Sequence, residues 1–584
     1  MKNLIIIISI CIIYAMTSSC EKMMGGFLDK PPGVDVTEDT IFSNRTQVET
    51  FVASIYQYGM HSYFGYPSGQ ANPDRGMFCS SSNEAEACAN WYSSQKWNAG
   101  TISADNTNDT RWTRRWTAIR KVSVLLDRID AAVGTEIDEA YKDQIKGEAR
   151  FIRALNYFEM FKRYGGVAII KDRVQLTDDF SIPRSTLQEV LDFILEDCDA
   201  AAGLLPNSYT TNFLGRATKG AALALKAKTL LFAASPRFNT ATPYLDLGSN
   251  NNLICFGNYD VNRWQKAADA AKAVIDWAPS GGIALITDKG VNANYRYQWE
   301  QYDNSEIILA EKTLFEVGQW GAPWGDMSPV GVYNASSGQT GTTVTLNFVR
   351  KYEKADGTPA VWDMVNGGSD LTSKMAGLDP RFAQTIAYNM SYWNSQKPQI
   401  QIWQASTGVA QGVNTNTCYG GFWLHKFYPA AINSITKWQW PPNCTLFQLN
   451  EQYLAYAEAL NEAQGPIAAA YTAVNAIRAR SGMPALPAGL TQAQFRDRIR
   501  NERAIELSFE DTHFFDVMRW LIAENEGEMQ GSMWGIKIYK IANSTEFQYV
   551  PYVFETRYWV KRMYLMPFPT GEVKKGYLVQ NPGY

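Results

Sequence analysis

The chain has 584 residues, 46% apolar and 19% charged, which is a globular composition with room for a large core. A net charge of −4 leaves no basic footprint and argues against nucleic-acid binding. Three histidines, His61, His425 and His513, are too few to suggest a zinc site or a histidine-based triad, and no cofactor or metal is expected.

In chain order, Lys2 and the apolar run 4–16 read as a cleaved export signal over residues 1–19, too short to span a bilayer. Thr17-Ser18-Ser19 then leads into Cys20, which resembles a lipoprotein processing site where the thiol is acylated. Pro31-Pro32-Gly33 forbids regular structure in the segment that follows. Cys79, Cys88, Cys198, Cys255, Cys418 and Cys444 lack metal-site spacing; buried free thiols are expected, with Cys79–Cys88 the alternative local disulfide.

Helical periodicity then dominates. Val122, Leu125, Leu126 and Ile129 mark one helical face, and Ala149, Ile152, Leu155, Phe158 and Phe161 another. Further helices are expected over 217–234, where Ser235-Pro236 ends the run, and over 264–277, 452–463, 467–480 and 495–510. Small residues on these faces (Ala154, Ala221, Ala224, Ala268, Ala457) predict close helix packing. The 154-to-224 spacing is near twice a tetratricopeptide period, so stacked helical hairpins are the natural reading. Across 280–445 the periodicity fades, leaving two strand-like runs, 306–317 and FWLHKFYP (422–429). This span holds nine of the 18 tryptophans (299, 320, 324, 362, 393, 403, 423, 438 and 440), as expected of a loop-rich functional insertion.

The segment NERAIELSFEDTHFFDVMRW (501–520) places Glu502 and Glu506 four apart, with Arg498 and Arg503 expected to offset their repulsion. Together with DGTP (356–359), LDPRFAQT (378–385), the YAEAL helix and the tail YLMPFPTGEVKKGYLVQNPGY, it closely resembles the SusD/RagB-like family of outer-membrane glycan-binding lipoproteins. One departure is Gln448-Leu449-Asn450, where the family usually has an arginine-led motif.

The resemblance implies a mainly α fold of tetratricopeptide-like hairpins with an irregular aromatic-rich region and a few short strands. One SusD/RagB-like domain would span 20–584, with helical repeats at about 45–279 and 446–525, a ligand-facing insertion at about 280–445 and a family tail at 526–584. It also implies an oligo- or polysaccharide ligand, a SusC-like TonB-dependent transporter as partner, and attachment to the outer membrane at the cell surface through lipidated Cys20.

Sugar rings lie flat on Trp and Tyr while their hydroxyls seek hydrogen bonds. The stretch 80–100 resembles the family's acidic loop followed by its ligand-contacting aromatics. In it Trp91, Tyr92 and Trp97 are candidate platforms, and Asn83, Glu84 and Asn98 candidate hydroxyl partners. Trp320, Trp324 and Tyr333 form a second cluster, amid turn-forming Gly318, Gly321 and Gly325, which by family position faces the same side; Trp393 and Trp403 are weaker candidates. Core packing is the competing reading for each aromatic. The carboxylate pairs Glu84/Glu86, Glu458/Glu462 and Glu502/Glu506 raise glycoside hydrolysis as an alternative, but the last two sit in helices rich in Ala and Arg, where ion pairing is the expected role. A peptide binder on the same scaffold is the other alternative.

Overall fold

The computed structural model describes residues 37–60, 78–88, 92–107, 109, 111–134, 136–175, 177–210, 213–312, 341–415, 417–427 and 443–584. The expected signal at 1–19, Cys20, Trp91, Trp320, Trp324 and Tyr333 lie outside them.

Among the described residues, the longer helices before the irregular region are α1 (Arg45–Gly59), α2 (Trp112–Arg128), α3 (Glu139–Tyr164), α4 (Leu187–Leu204), α5 (Lys219–Ala234) and α6 (Asn262–Trp277). The longer ones after it are α7 (Leu449–Gln464), α8 (Ala468–Arg480), α9 (Gln492–Glu506) and α10 (Thr512–Arg519). Their starts are written locally. The Asn44, Asp138 and Thr218 side chains accept the free N–H groups of the first turns of α1, α3 and α5, and Thr186/Glu189 and Thr491/Gln494 form reciprocal capping boxes on α4 and α9.

Each of α2 to α8 packs on the helix before it, and α9 returns to α7. The contact of α6 with α7 closes the array across the irregular region. Ala154, Ala221, Ala224, Ala268 and Ala457 are all fully buried, as the small-residue pattern predicts. The architecture is therefore mainly helical, with hairpins in series.

The signature segment is the electrostatic centre of the molecule, although its pairing differs from expectation. Arg498 and Arg503 do not neutralise Glu502 and Glu506. Arg381, fully buried, donates to Glu502 at 2.6 Å, Glu506 at 2.9 Å and Asp379 at 2.7 Å. Arg478 takes the other oxygen of Glu502 at 2.8 Å, and Arg480 pairs with both Glu506 and Glu306. Arg503 instead reaches Asp516 at 3.0 Å, and Arg498 pairs with Glu353. The separate motifs 378–385 and 501–520 are thus halves of one ionic lock. At the departure from the family pattern, the Asn450 amide donates to Glu506 at 2.6 Å and that of Gln448 to Glu510 at 2.6 Å, so hydrogen bonds occupy that position.

Helix α9 ends at Glu506 rather than at residue 510, because Phe509 and Asp511 take left-handed backbone angles of 61° and 58°. The strands are short: β1 (Ala85–Ala87), β2 (Ile307–Lys312), β3 (Thr342–Val344), β4 (Ile386–Ala387), β5 (Trp423–Leu424) and β6 (Asn443–Gln448). They form a four-stranded sheet in the order β1-β3-β5-β4 and a β2–β6 pair. A longer hairpin, β7 (Gly531–Lys540) with β8 (Phe547–Arg557), stands in what sequence reading treats only as a family tail. Its inward residues Ile536, Ile538, Phe547 and Tyr549 alternate along the strands, a period-two signal that helical reading passes over.

The irregular region has its own core. Trp299, Trp362, Trp393, Trp403 and Trp423 are each at most 9% exposed, and most pack with Phe422, Ile536 and Tyr549 in one cluster with the sheet and hairpin. The tryptophan excess of 280–445 is therefore, among the described residues, a packing feature. All six cysteines from Cys79 to Cys444 are buried free thiols, and the Cys79–Cys88 disulfide does not form.

Candidate functional site

The stretch 80–100 is not a surface loop over most of its length. Residues 79–88 are buried between the sheet and the α9–α10 turn, because β1 is an edge strand that the hairpin and that turn cover. Glu84 is fully buried. Its carboxylate accepts from the Ser82 hydroxyl at 2.9 Å and the Phe509 N–H at 2.7 Å, which pins the left-handed turn, and burial pushes its carboxyl up. Asn83 donates to Glu528 at 2.7 Å and to the Gly527 carbonyl at 3.0 Å.

Glu86 goes the other way, to Arg557, whose guanidinium also reaches Glu555 at 2.7 Å and the Ala85 carbonyl at 2.9 Å. Burial pushes the Glu86 carboxyl up to about 8 despite Arg557, while Arg557, outweighing burial, holds Glu555 below the usual range. This cluster ties the 80–88 segment to the end of the hairpin.

Contrary to expectation, the structure places the described candidate residues away from the surface. Glu84 and Asn98 face inward: the Asn98 amide donates to Glu86 at 2.9 Å and to the Ser80 carbonyl at 3.2 Å. Trp97 is 3% exposed, edge-on to Phe514 at 5.1 Å and Phe78 at 6.3 Å, so neither ring face is open to a ligand. Tyr92 is likewise 3% exposed and packs with Ala87. The short helix Ser94–Asn98, docked on the end of β8 through Tyr558 N–H to Asn98 carbonyl at 2.9 Å, turns the Trp97 and Asn98 side chains into the core. Trp393 and Trp403 are core residues too: Trp393 lies against His425, and the Trp403 indole donates to the Ala410 carbonyl at 2.8 Å.

The chain flanking the two candidate clusters meets at one point. The residues leading to Trp91 follow Cys88, and the stretch with Trp320, Trp324 and Tyr333, which follows Lys312 of the separate β2–β6 pair, reaches the four-stranded sheet at Gly341. The Cys88 N–H donates to the Gly341 carbonyl at 3.2 Å, and the Cys88 thiol to the Thr417 carbonyl at 3.2 Å. Both segments are thus rooted at one end of the β1–β3 pair, where Ala87 faces Thr342. Sequence reading misses two described aromatics, Tyr419 and Phe554, because it weighs tryptophans within 280–445 and treats 526–584 only as a family tail.

Each acidic pair is engaged. Glu458 accepts from Arg519 and the Trp520 indole, Glu462 from Arg496, and Glu502 and Glu506 from the arginines above. Among the described residues, no group of His, Cys, Asp and Glu is placed to hold a metal ion, and no helix is long and apolar enough to cross a membrane.

Comparison with known proteins is consistent along nearly the whole chain. Residues 289–584 match the SusD family, and residues 26–231 match a family described as starch-binding, associating with the outer membrane. The chain is 22% identical to SusD-like protein P25 of Formosa agariphila over 89% of its own length and 90% of that protein's. It superposes on a SusD-like protein of Bacteroides fragilis with a TM-score of 0.74 at 27% identity, covering 95% of this chain and 100% of the other. A laminarin-binding SusD-like protein shares the fold with a TM-score of 0.62 at 20% identity, covering 93% and 100%. With its C-terminal half matched from 289 to the last residue and the ionic lock joining that half's motifs, the chain belongs to the SusD family.

Proposed function

We propose that this protein captures an oligo- or polysaccharide at the outer membrane and hands it to a SusC-like TonB-dependent transporter. The observation that carries the reading is the common root of the two tryptophan-bearing segments at Cys88 and Gly341, in a chain of a family with starch-binding and laminarin-binding members. Trp91, Trp320, Trp324 and Tyr333 are the proposed platforms. The hydrogen bond between Cys88 and Gly341 fixes one flank of each stretch beside the other, and preorganisation of this kind lowers the entropy lost on binding. The role is binding rather than catalysis, which accords with every candidate acid pair being engaged in ion pairs or hydrogen bonds.

The test is a glycan array on the mature protein, followed by affinity gels and melting curves for Trp91→Ala and Trp320→Ala with the best-retained glycan. A well-engaged aromatic at a binding hot spot accounts for ~2 kcal/mol or more, about a thirtyfold loss of affinity. Strong loss of retention at an unchanged melting temperature is expected, and unaltered retention in both variants would move the site elsewhere. If peptides raise the melting temperature and no glycan does, the RagB-like peptide-binding alternative holds instead.

Attachment through Cys20 is part of the same proposal. Acyl chains contribute ~0.8 kcal/mol per buried CH₂, so Cys20→Ala is expected to move the protein from the membrane to the soluble fraction when the transporter is absent. Continued membrane fractionation of that variant would rule out the anchor.

A further inference from the structure

The solvent side of the β7–β8 hairpin carries a feature that neither tryptophan cluster includes. The turn 418–421 lies flush on the hairpin, with the Ile536 N–H donating to the Gly420 carbonyl at 3.1 Å. Two glycines make that approach possible. A Cβ at Gly535 would lie 2.1 Å from the Tyr419 carbonyl oxygen, and one at Gly420 would lie 1.8 Å from that of Val344. Two hydrogen bonds fix the turn further: the Tyr552 hydroxyl donates to the Tyr419 carbonyl at 2.7 Å, and the Gly420 N–H to the Thr343 hydroxyl at 2.9 Å. The Tyr419 backbone is thereby held on several sides while its side chain stays 41% exposed.

Its neighbour is Phe554. In the hairpin register Trp534 faces Val553 and Met533 faces Glu555, so Phe554 is the extra residue of a β-bulge. Bulges re-aim a side chain out of the regular alternation. Here the half-buried Phe554 ring comes to lie nearly parallel to that of Tyr419, 20° between planes and 6.4 Å between centroids. The adjacent Tyr552 ring is occupied, with the Lys537 ammonium 4.8 Å from its centroid, whereas Tyr419 is exposed and Phe554 half-buried beside it. Burial, and after it the nearness of Cys88 and Glu86, pushes the Tyr419 hydroxyl up.

We propose that Tyr419 and Phe554 form an aromatic shelf that stacks against one sugar ring of the captured glycan. This rests on the glycan-binding reading above and adds a subsite on the hairpin to it. Size favours a sugar over a protein partner. Two partly exposed aromatic side chains offer less than the roughly 150–250 Å² that each would bury in full, well short of the ~800 Å² per partner of a stable protein interface, and an area suited to one pyranose face. Near-parallel rings held by a tight turn and a bulge are also preorganised, which suits a weak ligand with little binding energy to spare for ordering side chains.

The experiment uses the full mature chain and the glycan that the wild type retains best on an array. Isothermal titration and thermal melts are run on Tyr419→Ala, Phe554→Ala and Tyr419→Phe. Both alanine variants should weaken Kd by about tenfold, and Tyr419→Ala should do so at an unchanged melting temperature, since an exposed side chain contributes little to the fold. Tyr419→Phe should bind like the wild type, because the ring face and not the hydroxyl makes the contact. Wild-type affinity in Tyr419→Ala would overturn the shelf, as would an equal loss in Tyr419→Phe or a fall in the melting temperature of Tyr419→Ala that accounts for its weaker binding. If the wild type retains no glycan at all, the glycan reading itself fails and the shelf falls with it, a result distinct from a shelf that fails in a protein that binds.

Discussion

Arg381→Ala is expected to destabilise the fold by ~3–5 kcal/mol, the range for breaking a buried ion pair from one side. The guanidinium is fully buried and is shared by three carboxylates on two distant segments, Asp379 beside it and Glu502 and Glu506 on α9. Glu502 keeps Arg478, and Glu506 keeps Arg480 and Asn450, but Asp379 loses its one side-chain cation among the described residues and the α9 pair loses the charge between its members. Burial acts to raise the Glu506 carboxyl, yet Arg480 and Arg381 outweigh it and hold Glu506 below the ordinary value of 4.5. A carboxylate depressed in the folded state contributes stability above its unfolded value, and that contribution fades as pH falls. The gap between wild type and Arg381→Ala should therefore be widest near neutral pH and narrow below about pH 4.5. Urea denaturation across that range measures it. Coincident curves at neutral pH would show that the lock does not hold the two segments together. Arg381→Lys should recover only part of the loss, since an ammonium cannot reproduce the fork that reaches three acids.

Trp97→Ala is the second large effect and also falls on stability. Truncating a buried tryptophan typically costs ~3–5 kcal/mol. Trp97 meets Phe78 and Phe514, and Phe514 in turn belongs to α10 of the signature segment. The melting temperature should drop steeply while the folded fraction, assayed at low temperature, retains glycan as the wild type does. Selective loss of binding at an unchanged melting temperature would restore Trp97 to the ligand surface and contradict its packing. Paired with Trp91→Ala, the variant separates a packed tryptophan from one proposed to meet the ligand, six positions apart in sequence.

That contrast shows how far sequence reading extends. Helix positions, caps and the alanine faces follow from local chemistry: a Thr or Asn with a free hydroxyl or amide oxygen before an apolar repeat, and small residues every turn where backbones must approach. The order of the landmark motifs was enough to place the chain in its family and hence to name a fold. The partners of charged residues were not legible in this way. Glu502 and Glu506 carry two arginines on their own helix, yet the pairing comes from Arg381, Arg478 and Arg480, because a helix sets which side chains are neighbours along it and not which ones arrive from elsewhere.

The candidate site divides along the same line. Composition marks 80–100 and 280–445 as aromatic, and tryptophan serves a core and a sugar platform equally well, since both want a large flat apolar surface. Only the tertiary structure decided that Trp97, Tyr92, Trp393 and Trp403 are packed, that Glu84 holds a strained turn, and that Cys88 and Gly341 root two segments side by side. Tyr419 and Phe554 lie 135 positions apart and meet through a glycine approach and a bulge, features of backbone register that no single stretch of sequence encodes. By itself the sequence determined the helical scaffold, the family and the absence of any recognisable catalytic motif, because those depend on local pattern. Which aromatic rings lie buried and which stay open was decided by long-range contacts, because burial belongs to what the rest of the chain places on top of a residue.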